Sequence, residues 1–235
     1  MRESERLWAT HARVSRASGI MGRHLFGVLQ RGYLELRYRN DTARAIALVD
    51  SALHVMPLDG LLPADRRYDE VARFYIAAGQ PARVAPLLDA AQANDRALRR
   101  SQPEERLWTR GLLALAEGRV ASAVDTLRLA SSLHMCASCV LPDLGHAYER
   151  SHRLREAADA YRTYLSTPWL WRYEPDAVAL GWTLKRLSAV SEQLGDTNQA
   201  RASREQLLHT WQGADASLQV VLDSIRAADR QRSTR

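Results

Sequence analysis

The chain's two cysteines, Cys136 and Cys139, form a CxxC at the start of a predicted helix. A thiol placed there faces the unpaired backbone N–H groups of the first turn, which favour the thiolate. Three chemistries are open to the pair: two reduced, partly buried thiols, a local disulfide that follows redox state, or part of a metal site. Zinc takes four ligands, and the chain has no second CxxC. The nearest histidines are His134, close by in sequence, and His146, on a different predicted face. A thioredoxin-like enzyme is not expected, because no βαβ context surrounds the motif. A second chemically distinctive group, Trp169, Trp171 and Tyr173, offers either an aromatic ligand patch or packing across a junction between helices. The seven histidines are scattered, and no carboxylate pair, Ser/His/Asp set or HExxH helix is visible. No catalytic function and no cofactor are expected.

The elements that position these residues follow a repeat. Gly111 recurs 34 residues later as Gly145, and Ala123 recurs at the same interval as Ala157. The first copy carries Leu107, Ala114 and Leu127 around them; the second carries Leu141, Leu144, Tyr148 and Tyr161. Such a unit reads as two helices. The glycine of the first and the alanine of the second let the backbones approach, and large residues one turn away fill the groove. One hairpin cannot bury its apolar face alone, so units must stack. Gly118 suits the left-handed residue that ends a helix; His152 holds that place in the second copy, at some cost in stability.

Along the chain, residues 4–39 read as helical, and Asn40-Asp41-Thr42 reads as a turn and N-cap before a helix over 43–55. Residues 57–66, with two prolines and Gly60, read as a linker. Tyr68 to Ala91 forms a further unit, in which Pro86 should kink its second helix or shorten the first turn. Equivalent second-helix positions fall at Ala45, Val84, Ala123, Ala157 and Ala200, with inserted residues expected in the inter-repeat turns at 94–102 and 166–177. Arg204 replaces an aromatic residue in the last unit, which suggests the array is near its end. A final helix over 215–230, with Leu218, Val221, Leu222 and Ile225 on one face, should cap the open apolar end.

Composition excludes several classes. With 46% apolar and 26% charged residues the chain is neither disordered nor membrane-embedded, and no run reaches the ~20 apolar residues of a membrane span. Its first residues mix charges without an apolar core, so no signal peptide is read and a cytoplasmic location is expected. Residues 1–40 carry +5 of the formal +6 charge. Lys185 is the only lysine, so arginine dominates throughout. No recognition motif accompanies the basic segment, and a solvated helical surface is expected rather than a nucleic-acid partner.

The repeat resembles the tetratricopeptide (TPR) family over residues 25–210, most closely over 104–165. The runs Cys136 to Leu144 and Thr167 to Trp171 also resemble the C-terminal TPR portion of bacterial multidomain signalling proteins, in which a Ser/Thr kinase or activator domain precedes the repeats. Here no Gly-rich phosphate loop or kinase catalytic-loop motif is present. The resemblance implies one all-α domain over 1–235: a right-handed α-solenoid of TPR hairpins at 41–210, a basic helical segment at 1–40 and the C-terminal cap. It also implies a concave groove lined by first helices, with Arg66, Asp69 and Arg73; Trp108, Leu112 and Leu115; His146, Glu149 and Arg150; and Trp182, Lys185 and Ala189 facing it. The Lys/Asn carboxylate clamp of chaperone-binding members is absent: Asp69 and Arg73 stand where it would begin, and Thr109 where an asparagine would follow. The implied function is a scaffold for bacterial signalling that docks a protein or peptide segment, with Arg73, Trp108, Leu112, His146, Arg150, Trp182 and Lys185 as the contact set. Two alternatives stay open: a redox or metal sensor built on Cys136 and Cys139, and the sensory arm of a larger kinase or activator.

Overall fold

Local chemistry sets where the helices begin and end. A computed structural model of the protein describes residues 2–99, 101–136, 138–168 and 173–213, and beyond these 216, 218, 219, 222, 223 and 225–227. The described residues are mostly helical, with no strand among them. The helices are α1 (Arg2–Ala17), α2 (Met21–Leu34), α3 (Thr42–Val55), α4 (Tyr68–Ala77), α5 (Val84–Leu98), α6 (Pro103–Ala116), α7 (Val120–Leu133), α8 (Leu141–Arg150), α9 (Leu154–Ser166), α10 (Tyr173–Gln193) and α11 (Thr197–Thr210). Asp41 and Asp196 cap α3 and α11, each accepting an N–H bond from the third residue on, at 2.9 and 3.0 Å. Pro103 starts α6, where no amide hydrogen is needed.

Short turns join α4 to α5, α6 to α7, α8 to α9 and α10 to α11, so each pair packs as an antiparallel hairpin. The four turns share one hydrogen-bond pattern. Gln80, Arg119, Arg153 and Asp196 donate N–H bonds to the carbonyls of Tyr75, Ala114, Tyr148 and Ser191, at 2.8–2.9 Å. This closure needs a left-handed residue one position earlier. Gly79, Gly118 and Gly195 supply it at φ of 70°, 78° and 76°, and His152 adopts φ 59° in the α8–α9 turn. Within the hairpins the small residues permit close approach. A Cβ on Gly111 would lie 2.7 Å from Leu127 Cγ, and one on Gly145 would lie 2.5 Å from Tyr161 Cε1.

The apolar core runs between the helix layers. Ala45, Val84, Ala123, Ala157 and Ala200 all have no exposed surface, as expected of the second-helix positions. One cluster centres on Leu25, Leu29, Val49, Val71 and Phe74; another joins Leu127, Leu144, Tyr161, Leu187 and Val190. The described part of the C-terminal segment is helical and buries Leu218 and Leu222.

Several sequence expectations change. Residues 4–39 are helical, as expected, and divide into two helices: Gly19, at φ 73°, turns the chain between α1 and α2, and α2 runs on through a π-helical turn at Glu35–Arg39. The expected linker at 57–66 is packed, with turns at Leu58–Gly60 and Pro63–Asp65 and with Leu58 and Leu61 buried. Residues 94–98 belong to α5 rather than to a loop, because Asn94 bonds to the Pro63 carbonyl at 3.0 Å and Asp95 pairs with Arg106. Pro86 lies in the first turn of α5, where it displaces no helical hydrogen bond. Arg204 is not at a bare edge: it is largely buried and donates to Ser188 at 3.1 Å and Glu192 at 2.6 Å. Trp169 and Trp171 lie outside the described residues, as does the side chain of Tyr173. Among the described residues no helix is long and apolar enough to cross a membrane.

Candidate functional site

Helix α2 and the first helices of the hairpins, α4, α6, α8 and α10, turn one face inward, and their side chains form a continuous chain of contacts. Tyr33 on α2 meets Phe74 on α4 edge to face, with centroids 5.6 Å apart. From α4, Arg73 reaches α6: it donates to Glu105 Oε2 at 2.7 Å and Thr109 Oγ1 at 3.3 Å, and its guanidinium lies 4.3 Å from the Trp108 ring. Trp108 Nε1 then donates to Asp143 Oδ2 on α8 at 2.8 Å. One turn on, His146 stacks edge to face with Trp182 on α10, at 5.8 Å. Beside them, Arg186 donates to both oxygens of Glu149, at 2.7 and 3.0 Å.

The chain of contacts then closes on itself. Arg37 and Tyr38, in the π-helical turn after α2, both donate to the Val178 carbonyl of α10, at 2.9 and 3.0 Å. The wider turn is what brings two successive side chains to one acceptor. Arg37 also lies 5.1 Å from the Trp182 ring, and Arg23 pairs with Glu174 at 3.0 Å. Trp8, Leu34 and Val178 pack together beneath this seam. Helix α2 is therefore joined directly to α10 at the end of this chain of contacts. Tyr33, Arg37, Asp143, His146 and Trp182 lie deep in the fold yet keep partial exposure on this inner face.

Burial and charge set the protonation of this inner face. Burial pushes the Tyr33 hydroxyl up to about 12 and raises the Asp143 carboxyl, against the pull of Arg37, the Trp108 bond and Arg73. Burial also lowers His146, and Arg186, Arg150 and Arg37 lower it further, to about 4, so its imidazole is neutral at pH 7. At Glu105, burial acts upward, but Arg73 and His134 outweigh it and hold the carboxyl at about 2. Arg73 stays charged because Glu105, Glu70 and Asp69 outweigh its desolvation.

The structure sorts the expected groove residues. Arg73, Trp108, His146 and Trp182 come together on the inner face. Leu112 is half-buried and packs against two core clusters, and Leu115 is core. Arg150, Lys185 and Ala189 are exposed at the rim, and neither Arg150 nor Lys185 has an ion pair among the described residues. Glu149 is committed to Arg186 and Tyr161. Arg66 and Asp69 instead border a polar cleft of about 170 Å³ with Asn94 and Asp95. Thr109, at the missing-clamp position, is fully buried. Sequence reasoning missed Tyr33, Arg37, Asp143 and Arg186. The available signal was helical spacing: Arg37 follows Tyr33 by four, Asp143 precedes His146 by three, and Arg186 follows Trp182 by four.

Cys136 and Cys139 are joined in a disulfide in the turn between α7 and α8. That is one of the three open chemistries. Among the described residues no group of three His, Cys, Asp or Glu side chains gathers to hold a metal. Cys136 is buried and Cys139 partly exposed. His134 Nδ1 accepts the Cys136 backbone N–H at 3.0 Å, which leaves Nε2 to donate to Glu105 Oε1 at 2.9 Å. Elsewhere, a mostly apolar cleft of about 520 Å³ opens between α2 and α3, lined by Met21, Val28, Leu48, Ala52, Val55 and Met56. No protein-family model matches the chain, and no characterised protein matches it.

Proposed function

We propose that this protein is a TPR-type right-handed helical-repeat module that holds an anionic segment of a partner protein at its inner face, as a non-catalytic scaffold in bacterial signalling. The observation that carries the proposal is the placing of the Arg37 and Arg186 guanidinium groups 5.1 and 5.0 Å from the Trp182 ring, beside the neutral His146 imidazole. Cations flanking an aromatic floor suit a carboxylate-bearing segment with an apolar neighbour. Arg150 and Lys185 remain exposed at the rim, free to steer an acidic partner. The seam between α2 and α10 means that a segment docks from the rim or after the seam opens. A cytoplasmic setting belongs to the proposal; there the Cys136–Cys139 bond would meet thiol reductants.

The test is recovery of partners from the native cell by affinity purification, comparing wild type with Arg150→Glu/Lys185→Glu. Both side chains are exposed, so the fold should be kept, which circular dichroism checks. An acidic partner retained by wild type and lost by the double variant, more completely as salt rises, supports the reading. Equal recovery of the same proteins by both refutes it.

A further inference from the structure

The disulfide is wired to the inner face through one side chain. His134 makes three contacts at once. Its Nδ1 accepts the Cys136 N–H at 3.0 Å, its Nε2 donates to Glu105 Oε1 at 2.9 Å, and its ring meets Trp108 edge to face at 5.5 Å. Glu105 gives its other oxygen to Arg73, whose guanidinium covers the Trp108 ring. The same disulfide turn leads directly into α8, where Leu141 donates its N–H to the Ser138 carbonyl at 3.0 Å and Asp143 accepts the Trp108 indole. Trp108 is thus the point where two routes from the disulfide meet, one through His134 and one through the start of α8.

We propose that the Cys136–Cys139 bond is reversibly opened by a dithiol reductant and that its state sets the position of Trp108, with His134 as the positioning residue. The sulfurs are unequal in access: Cys139 is partly exposed and Cys136 buried. A reductant thiolate attacks Cys139 Sγ; the Sγ–Sγ bond breaks and Cys136 leaves as a thiolate. The reductant's second thiol then resolves the mixed disulfide. Two electrons and two protons pass to the cysteines, and the reductant becomes a disulfide. With the tether cut, the Cys136 N–H is no longer held on His134. Released, His134 leaves Glu105 Oε1 without its donor in a desolvated site, a costly state that draws Arg73 away from Trp108. The indole loses its edge contact and its cation together. The consequence for partner binding rests on the inner-face reading above; the coupling itself does not.

The indole N–H resonances of the six tryptophans, in protein labelled with 15N-tryptophan, read this without any partner. Trp108→Phe identifies the Trp108 peak, and thiol titration confirms that two thiols have formed in dithiothreitol. The expected result is a shifted Trp108 peak on reduction, and the same shifted position in Cys136→Ser/Cys139→Ser whether or not reductant is present. His134→Phe keeps a ring against Trp108 but removes both hydrogen bonds, so reduction should no longer move the peak, or should move it far less. An unmoved Trp108 peak with both thiols titrated overturns the proposal, as does a bond that resists dithiothreitol until the protein unfolds. A full shift in His134→Phe removes His134 from the route. A shift with partner recovery indifferent to redox state leaves the coupling standing and counts against its link to binding, which the rim variant tests on its own.

Discussion

Replacing Glu105 by Gln should destabilise the protein by about 3 kcal/mol at pH 7 and flatten part of its acid response. The structure gives the magnitude. Arg73 is 7% exposed and its guanidinium is committed to Glu105. The Glu105 carboxyl sits at about 2 in the fold, against 4.5 for an unperturbed glutamate. At ~1.4 kcal/mol for each pH unit, that depression corresponds to roughly 3 kcal/mol. The sign follows from the direction: a carboxyl depressed on folding contributes its full stability above its unfolded value and loses it as pH falls from 4.5 toward 2. Asp143 and Asp69 act oppositely, because burial raises both above 3.8, so protonating them favours the fold. The informative quantity is therefore the difference between wild type and Glu105→Gln, in which Asp143 cancels and only the part of the Asp69 shift that Glu105 itself causes remains. Urea unfolding from pH 7 down to pH 2.5 measures it. The gap should stay level from pH 7 to about 5 and shrink below that. A gap under ~1 kcal/mol at pH 7, or one that stays constant down to pH 2.5, would refute the assignment of Glu105 as the charge that sustains Arg73.

Two further outcomes are expected. His152 holds φ 59° where the three equivalent turns have glycine, so His152→Gly should raise stability by about 0.5–1 kcal/mol, read as a higher urea midpoint at unchanged slope; a lower midpoint would mean that His152 carries no backbone strain in this turn. Arg37→Ala combined with Tyr38→Phe removes both donors to the Val178 carbonyl and should open the α2–α10 seam first. Amide exchange should then quicken in α2 and α10 while α6–α9 stays protected, and uniform acceleration would mean that the seam is not a separate opening unit.

The parts of the fold that were legible depend on neighbours in sequence. Gly111 against Leu127, Gly145 against Tyr161 and the buried alanines are contacts within one hairpin, and a 34-residue period records them directly. In the C-terminal segment the same apolar spacing marked Leu218 and Leu222, which are buried among the described residues. The break at Gly19 was not, because apolar residues continue on both sides and only one backbone angle marks the turn. Ring closure was illegible altogether. It depends on Arg37 and Tyr38 meeting Val178 across 141 and 140 residues, and on a π-helical turn that no apolar period announces. The inner-face set was half legible: Trp108, His146 and Trp182 stood out as residue types, whereas Asp143 and Arg37 are ordinary charges until a fold places them together.

The chemistry of the inner face also separates stability from function. Leucine, valine, alanine and tyrosine between the helix layers bury the apolar surface that the fold needs. The inner face instead buries Arg73, Glu105 and Asp143 and keeps His146 neutral among arginines. Replacing such buried ion pairs by apolar residues of equal volume is commonly neutral or stabilising, so their presence is weak evidence for a stabilising role. Breaking one partner is costly all the same, which is why Glu105→Gln should hurt although the pair as a whole adds little. A double replacement, Arg73→Met with Glu105→Leu, separates the two statements. It should recover much of the stability lost in Glu105→Gln, since no unpaired charge remains, while leaving His134 without its acceptor and Trp108 without its cation. Stability restored with Trp108 no longer responding to dithiothreitol would place these charges in the service of the inner face rather than of the fold. Stability restored with the response intact would leave the start of α8 as the only route from the disulfide to Trp108.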